Sequence, residues 1–215
     1  MELHAAVVPK VHSRIKEFLS TSPSIRVEEI AEFYAEEFAN FRRRRAERMY
    51  LSPLGLTAES FLSAQSDMLQ ELAFDLTNKM LNEVMHSEAI IAGVDETGGH
   101  IYKIHDPGLA TCFDTPFFAA IGIGENHAIS QFMLAKFEKR WSVEKTIYLT
   151  YSAKTLAEAT AGVGKQTDMV LIRPGTPIYP LKGSEIATLD AILKQTTSKG
   201  DEALTCPRDF GPAIT

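Results

Sequence analysis

The stretch IIAGVDETGGHIYKIHDPG, residues 90–108, constrains this chain more than any other. The apolar run at 89–94 (AIIAGV) reads as a buried strand, and the alternating 100–105 (HIYKIH) as its partner. Between them lies DETGG, five residues in which Gly98 and Gly99 supply positive φ. Asp95 is placed to cap that turn through nearby amides. Gly93 interrupts the apolar run, which weakens a strand unless a helix or backbone approaches closely. Pro107-Gly108 then turns the chain again. A hairpin with one apolar face requires helices to cover it.

The sequence supplies helices on both sides of the hairpin. Upstream, Val27, Ile30, Tyr34, Phe38 and Phe41 recur at three- and four-residue spacing, which predicts a helix over 24–49 with Ser24 as N-cap. Glu28 and Glu29 near its start and Arg42 to Arg45 near its end oppose the helix dipole. After the break SPLG at 52–55, Thr57 caps a longer helix whose stripe runs Leu62, Gln65, Leu69, Leu72, Leu76 and Met80, widened by Phe61, Met68, Ala73 and Val84. Residues 11–19 read as helical or irregular. Downstream, 117–121 (FFAAI) predicts a third strand ending at Gly122 and Gly124, followed by helices over 125–139 and 142–161. Gly162 and Gly164 end the latter. A strand at 168–173, a helix over 184–197 and a loose tail from Gly200 complete the chain.

This order is α+β, with helices for both faces of an antiparallel sheet. The 215 residues suffice for a core without disulfides or metals, and Cys112 and Cys206 show no paired spacing. That thiol usage, and an N-terminal apolar run too short for a signal core or span, predict a cytoplasmic protein with no membrane partner. The net charge of −6 opposes a general polyanion binder, and no stacking aromatics interleave with Arg42 to Arg45, so no nucleic acid is expected. His100 and His105, five apart in a strand, face opposite sides and cannot share a metal ion. Lys165 follows Gly162-Val-Gly164, a spacing too short for a phosphate loop. Cys112 as a nucleophile requires a histidine base, with His105 and His127 as the candidates.

Three patterns together resemble the proteasome-subunit family of N-terminal-nucleophile hydrolases. The hairpin 90–108 is similar to that family's strand pair, in which Gly-x-Asp turns through glycines into a strand ending Asp-x-x-Gly. AAIGIGENHA at 119–128 resembles its strand, glycine turn and helix, and AGVGKQTDMVLI at 161–172 its helix end, turn and strand. The resemblance covers residues 24–173. It implies an αββα sandwich and a nucleophile that is the first residue of the mature chain: Thr, Ser or Cys. That residue's own α-amino group, with a pKa near ~8, then serves as base.

The family's catalytic strands precede its helix pair, where this sequence offers only residues 1–23, starting Met-Glu. Gly175-Thr176 and Gly183-Ser184 lie in the wrong places for internal activation. The sequence therefore predicts a truncated proteasome-like sandwich over 1–183, with a C-terminal helix and tail at 184–215. It assigns no catalytic residue, metal or cofactor. Gly93, Asp95, Gly98, Gly99, Gly108, Gly122, Gly124, Gly162 and Gly164 are read as structural turns. An incomplete sandwich leaves apolar faces bare, so a homo- or hetero-oligomeric scaffold is expected, assembling through the exposed sheet and helix hairpin. One alternative is a fragment of an active peptidase or amidohydrolase whose nucleophile lies upstream. Another is a helical module whose hairpin, residues 24–86, docks a peptide or subunit.

Overall fold

The computed structural model describes the backbone of residues 2–203 and the side chains of residues 3–197; most of the expected tail, with Cys206, lies outside them. The chain is mixed α+β and divides into two compact units, residues 1–122 and 123–215. The last helix begins at Gly183.

In the first unit, helix α1 (Glu2–Thr21) turns Leu3, Val7 and Val11, at successive four-residue intervals, onto α2 (Val27–Ala46). Residues 11–19 are thus the second half of a helix begun at Glu2. From α2 come Ala31, Tyr34, Ala35 and Phe38, and together these seven residues enclose Ala89 and Ile104 of the sheet. Arg26, not the expected Ser24, holds the N-cap position, with extended φ and ψ of −82° and 154°. Past Ala46 the chain keeps coiling through a wide turn at Glu47–Leu51 and a tight one at Ser52–Leu54. Gly55, at φ +74°, stops it.

The helix expected from Thr57 onward is broken. Thr57 caps a short α3 (Ala58–Ala64), accepting the Ser60 N–H at 3.1 Å, and α4 (Gln70–Leu81) begins after a separate turn. Because 65–69 leaves the helical path, the two halves do not share one face. Leu62 and Leu69 of the predicted stripe are 69% and 78% exposed, whereas Phe61 and Leu76 from the same stripe form a small second core with Leu51.

Strands β1 (Ala89–Asp95), β2 (Gly98–His105) and β3 (Leu109–Cys112) form an antiparallel sheet in that order. Only Glu96 and Thr97 separate β1 from β2, and Gly98 and Gly99 belong to β2, paired with Asp95 and Val94. The five-residue connection is therefore a two-residue turn. The third strand is LATC at 109–112, not 117–121: the tight turn after His105 lays Leu109 directly beside it, while Phe117 sits at φ +62° outside any ladder. Side chains alternate across the sheet. One face carries Ala89, Ile91, Gly93, Tyr102 and Ile104 towards α2; the other carries Ile90, Ala92, Val94, Ile101, Lys103 and Leu109.

In the second unit, α5 (Glu125–Leu134) packs on α6 (Val143–Ala157), and both stop short of their predicted ends. Ser142 caps α6, accepting the Lys145 N–H at 3.3 Å. Edge-to-face rings of Phe132, Phe137 and Trp141 fill the connection. The strand predicted at 168–173 shrinks to β4 (Val170–Leu171), paired with β5 (Tyr179–Pro180), and α7 (Gly183–Ala203) follows.

Candidate functional site

The residues singled out in the hairpin converge on α2. A Cβ added at Gly93 would lie 2.9 Å from Val27 Cγ2, and one at Gly108 2.7 Å from the Ala35 carbonyl oxygen. Each glycine lies within two residues of an aspartate that grips the same helix. Asp95 Oδ2 accepts the N–H of Val27, the first residue of α2, at 3.0 Å. Asp106 Oδ1 lies 3.1 Å from Arg42 Nε at the helix's other end, and its Oδ2 accepts the Met85 N–H. Gly-x-Asp at 93–95 and Asp-x-Gly at 106–108 are thus two ends of one clamp. Glycine lets the helix approach, and the carboxylate holds it. Asp95 satisfies an amide that α2 cannot satisfy itself and sits at the positive end of its dipole.

A polar cluster surrounds the Asp95 end. Asp95 Oδ1 accepts the Thr97 N–H at 2.8 Å and the Thr97 hydroxyl at 2.7 Å, which builds the two-residue turn. His100, one fifth exposed, places Nε2 at 2.7 Å from Thr97 Oγ1 and 3.2 Å from Asp95 Oδ1. Its Nδ1 lies 2.5 Å from Asp114 Oδ2. Asp114 Oδ1 accepts the Ile101 N–H at 2.9 Å. Cys112 lies opposite Tyr102 in the ladder, two residues before Asp114.

Hydroxyl, imidazole and carboxylate here stand in the order of a nucleophile, a base and its orienter. The electrostatics give them a different role. The hydrogen bond to Asp114 leads in raising the His100 pKa; burial opposes it, and the charges of Asp114 and Asp95 reinforce it. A carboxylate facing each nitrogen favours the protonated imidazole, which can donate from both sides. A general base must instead be neutral at the nitrogen that faces its nucleophile. The hydrogen bonds from Thr97, then Val27, hold Asp95 far below the usual carboxylate range. Burial pushes Asp114 upward, yet the bonds from Ile101, His100 and Cys112 outweigh it and lower its pKa. Burial above all, with Glu28 next, pushes Tyr102 up to about 12. The cluster is a lock of carboxylate, imidazole and carboxylate that fastens the hairpin to the start of α2, and a proton on the imidazole strengthens it.

The other sequence candidates fall elsewhere. Neither proposed base serves Cys112: His105 pairs with Leu109, and His127 Nδ1 lies 3.1 Å from Thr160 Oγ1. Near Lys165, the Gly164 carbonyl accepts from Lys154 Nζ at 2.9 Å, so the loop shows a filled acceptor rather than a row of free amides. Gly124 packs against Ala157, where an added Cβ would come within 2.9 Å, and Gly122 and Gly162 hold φ of +92° and +95°. Gly98 sits at φ +133°, while Gly99 and Gly164 have open space around them. Among the described residues no three His, Cys, Asp or Glu side chains are gathered for a metal ion, and no helix is long and apolar enough to cross a membrane.

Sequence reasoning missed Asp114, whose partner His100 is fourteen residues away, and the buried Glu83. Glu83 accepts from Arg45 Nε at 3.0 Å and from Tyr50 Oη at 2.8 Å, pinning the end of α2 to the segment after α4. The second unit holds a cavity of about 790 Å³, lined by Val143, Ile147, Leu171, Ile178, Leu181 and Leu189 with Glu144 and Arg173 at its polar side. Compared with known proteins, the chain matches no family model and no curated protein.

Proposed function

We propose that this chain is a scaffold subunit with a proteasome-like, N-terminal-nucleophile-hydrolase type of core, in which no residue of the chain serves as nucleophile. It assembles by laying the face of its three-stranded sheet that is turned away from α2 on the sheet of a second chain. The observation that supports this reading is the one-sided sheet: within the first unit, α2 is the element packed on it. The opposite face presents exposed Ala92 and Leu109 beside part-exposed Ile90, Val94 and Ile101, with the Lys103–Glu88 pair, 2.9 Å, among them. Sheets with such faces bury them against each other at about 10 Å separation. The order of helices around strands follows the resemblance drawn from the hairpin, and the hairpin's reactive-looking groups are engaged as a lock.

Sedimentation of the full chain, beside an Ala92→Arg variant, tests this. Ala92 is exposed in the isolated chain, so the arginine leaves the fold intact and spoils only a sheet-to-sheet contact. The native chain is expected as an oligomer and the variant as a monomer with the same circular dichroism. A native chain that sediments as a monomer sinks the reading. So does release of product from a fluorogenic peptide by pure protein.

A further inference from the structure

In this acidic chain, one trough is strongly basic. Two adjoining hollows of about 450 and 410 Å³ lie between α1 and the end of α2, and they share Lys10 and Arg44. Their combined lining carries Lys10, Arg14, Arg43, Arg44, Arg45 and Arg48 against one acid, Glu37. Internal partners engage some of these cations. Arg14 contacts Glu36 at 2.6 Å and covers the Phe33 ring, Arg45 holds Glu83, and Arg43 reaches Asn40. Lys10 stands a loose 3.7 Å from Glu37, and Arg44 and Arg48 form no ion pair among the described residues. Phe41 and the half-exposed Met49 line the same end as these cations.

We infer that this trough binds a short acidic segment of a partner protein, with carboxylates on Arg44, Arg48 and Lys10 and an apolar side chain against Phe41 and Met49. Along α1 the trough runs from Ala6 to Arg14, about 12 Å at the helical rise, which matches an extended segment of about four residues. The planar guanidinium fork suits carboxylate oxygens, and methionine adapts to varied apolar neighbours. A long polyanion fits less well. Phe41 is the only aromatic ring in the lining, too few for a base-stacking platform, and the net charge of −6 repels an extended nucleic acid. The inference deepens the scaffold reading, and rests on it, by naming the chemistry of a second partner.

The probe is a fluorescein-labelled pentapeptide, four glutamates around a central phenylalanine, read by anisotropy against the full chain. Saturable binding is expected. It should weaken at least about tenfold in the Arg44→Glu/Arg48→Glu double variant and stay unchanged in Arg140→Glu, an exposed arginine of the second unit. If the double variant loses its helical circular dichroism, Arg44→Gln/Arg48→Gln gives the same reading without introduced acids. No binding, or equal affinity in the double variant, overturns the inference. Displacement of the peptide by oligothymidine at a lower concentration than by unlabelled peptide overturns it in favour of nucleic acid. The double variant's sedimentation should match the native chain's, so a failed trough and a failed sheet interface give different results.

Discussion

His100 carries its proton more tightly in the folded chain than in the unfolded one, because Asp114 and Asp95 face its two nitrogens. The sign of the pH dependence follows. Its stabilisation is complete below the unfolded value of about 6.5 and fades as pH climbs through the raised folded value. Asp95 works in the other direction: its contribution is in place above about 3.9 and is lost as pH falls through its depressed folded value. His100→Gln retains a donor but no titrating charge. The gap in thermal midpoint between native chain and variant should be widest below the unfolded value of about 6.5 and shrink as pH rises through the raised folded value. A gap of constant size across that range rejects the imidazolium lock. Half of this lock was legible in the sequence. Asp95 and Thr97 sit two apart, the signature of a side chain that folds its own turn. Asp114 was hidden, since nothing local says that the residue after Phe113 returns to a ring on β2.

Helix α2 shows at the scale of an element why the paired glycines and aspartates recur. Its two ends are gripped by two turns of one sheet, so the helix axis is fixed relative to the strands by chemistry at both termini. The two close approaches are unequal. Gly93 faces the Val27 side chain alone, whereas Gly108 faces the backbone of Ala35 and Ala39 and itself sits at φ +117°. Gly108→Ala should therefore destabilise by about 1–3 kcal/mol, more than Gly93→Ala, with Gly99→Ala as the mild control. Chemical denaturation of the three variants measures the order, and a Gly93→Ala penalty equal to that of Gly108→Ala contradicts this geometry. The need for a close neighbour at Gly93 was readable because glycine in an apolar strand has little other use. The stripe from Leu62 to Leu72 was misleading for the opposite reason: periodicity counts residues, and the irregular stretch at 65–69 resets the count. Likewise FFAAI has strand composition, yet LATC won because a tight turn brings it to β2 at low closure cost.

For the molecule as a whole, the two proposed contacts draw on different forces, and ionic strength separates them. The sheet face is mainly apolar, and Lys103 on it is paired with Glu88 within the chain. Burying such a face releases water and is insensitive to screening. The trough works by uncompensated charge on an exposed surface, where the screening length drops from about 10 Å at 0.1 M salt to about 3 Å at 1 M. Raising salt across that interval should leave the sedimenting species unchanged while the acidic peptide's affinity falls steeply. The two responses are measured on the same protein in the same buffers, so a general loss of folding would move both. An oligomer that falls apart in high salt would mean that charges, not Ala92, Ile101 and Leu109, hold it together. The sheet face turned away from α2 would then need another explanation.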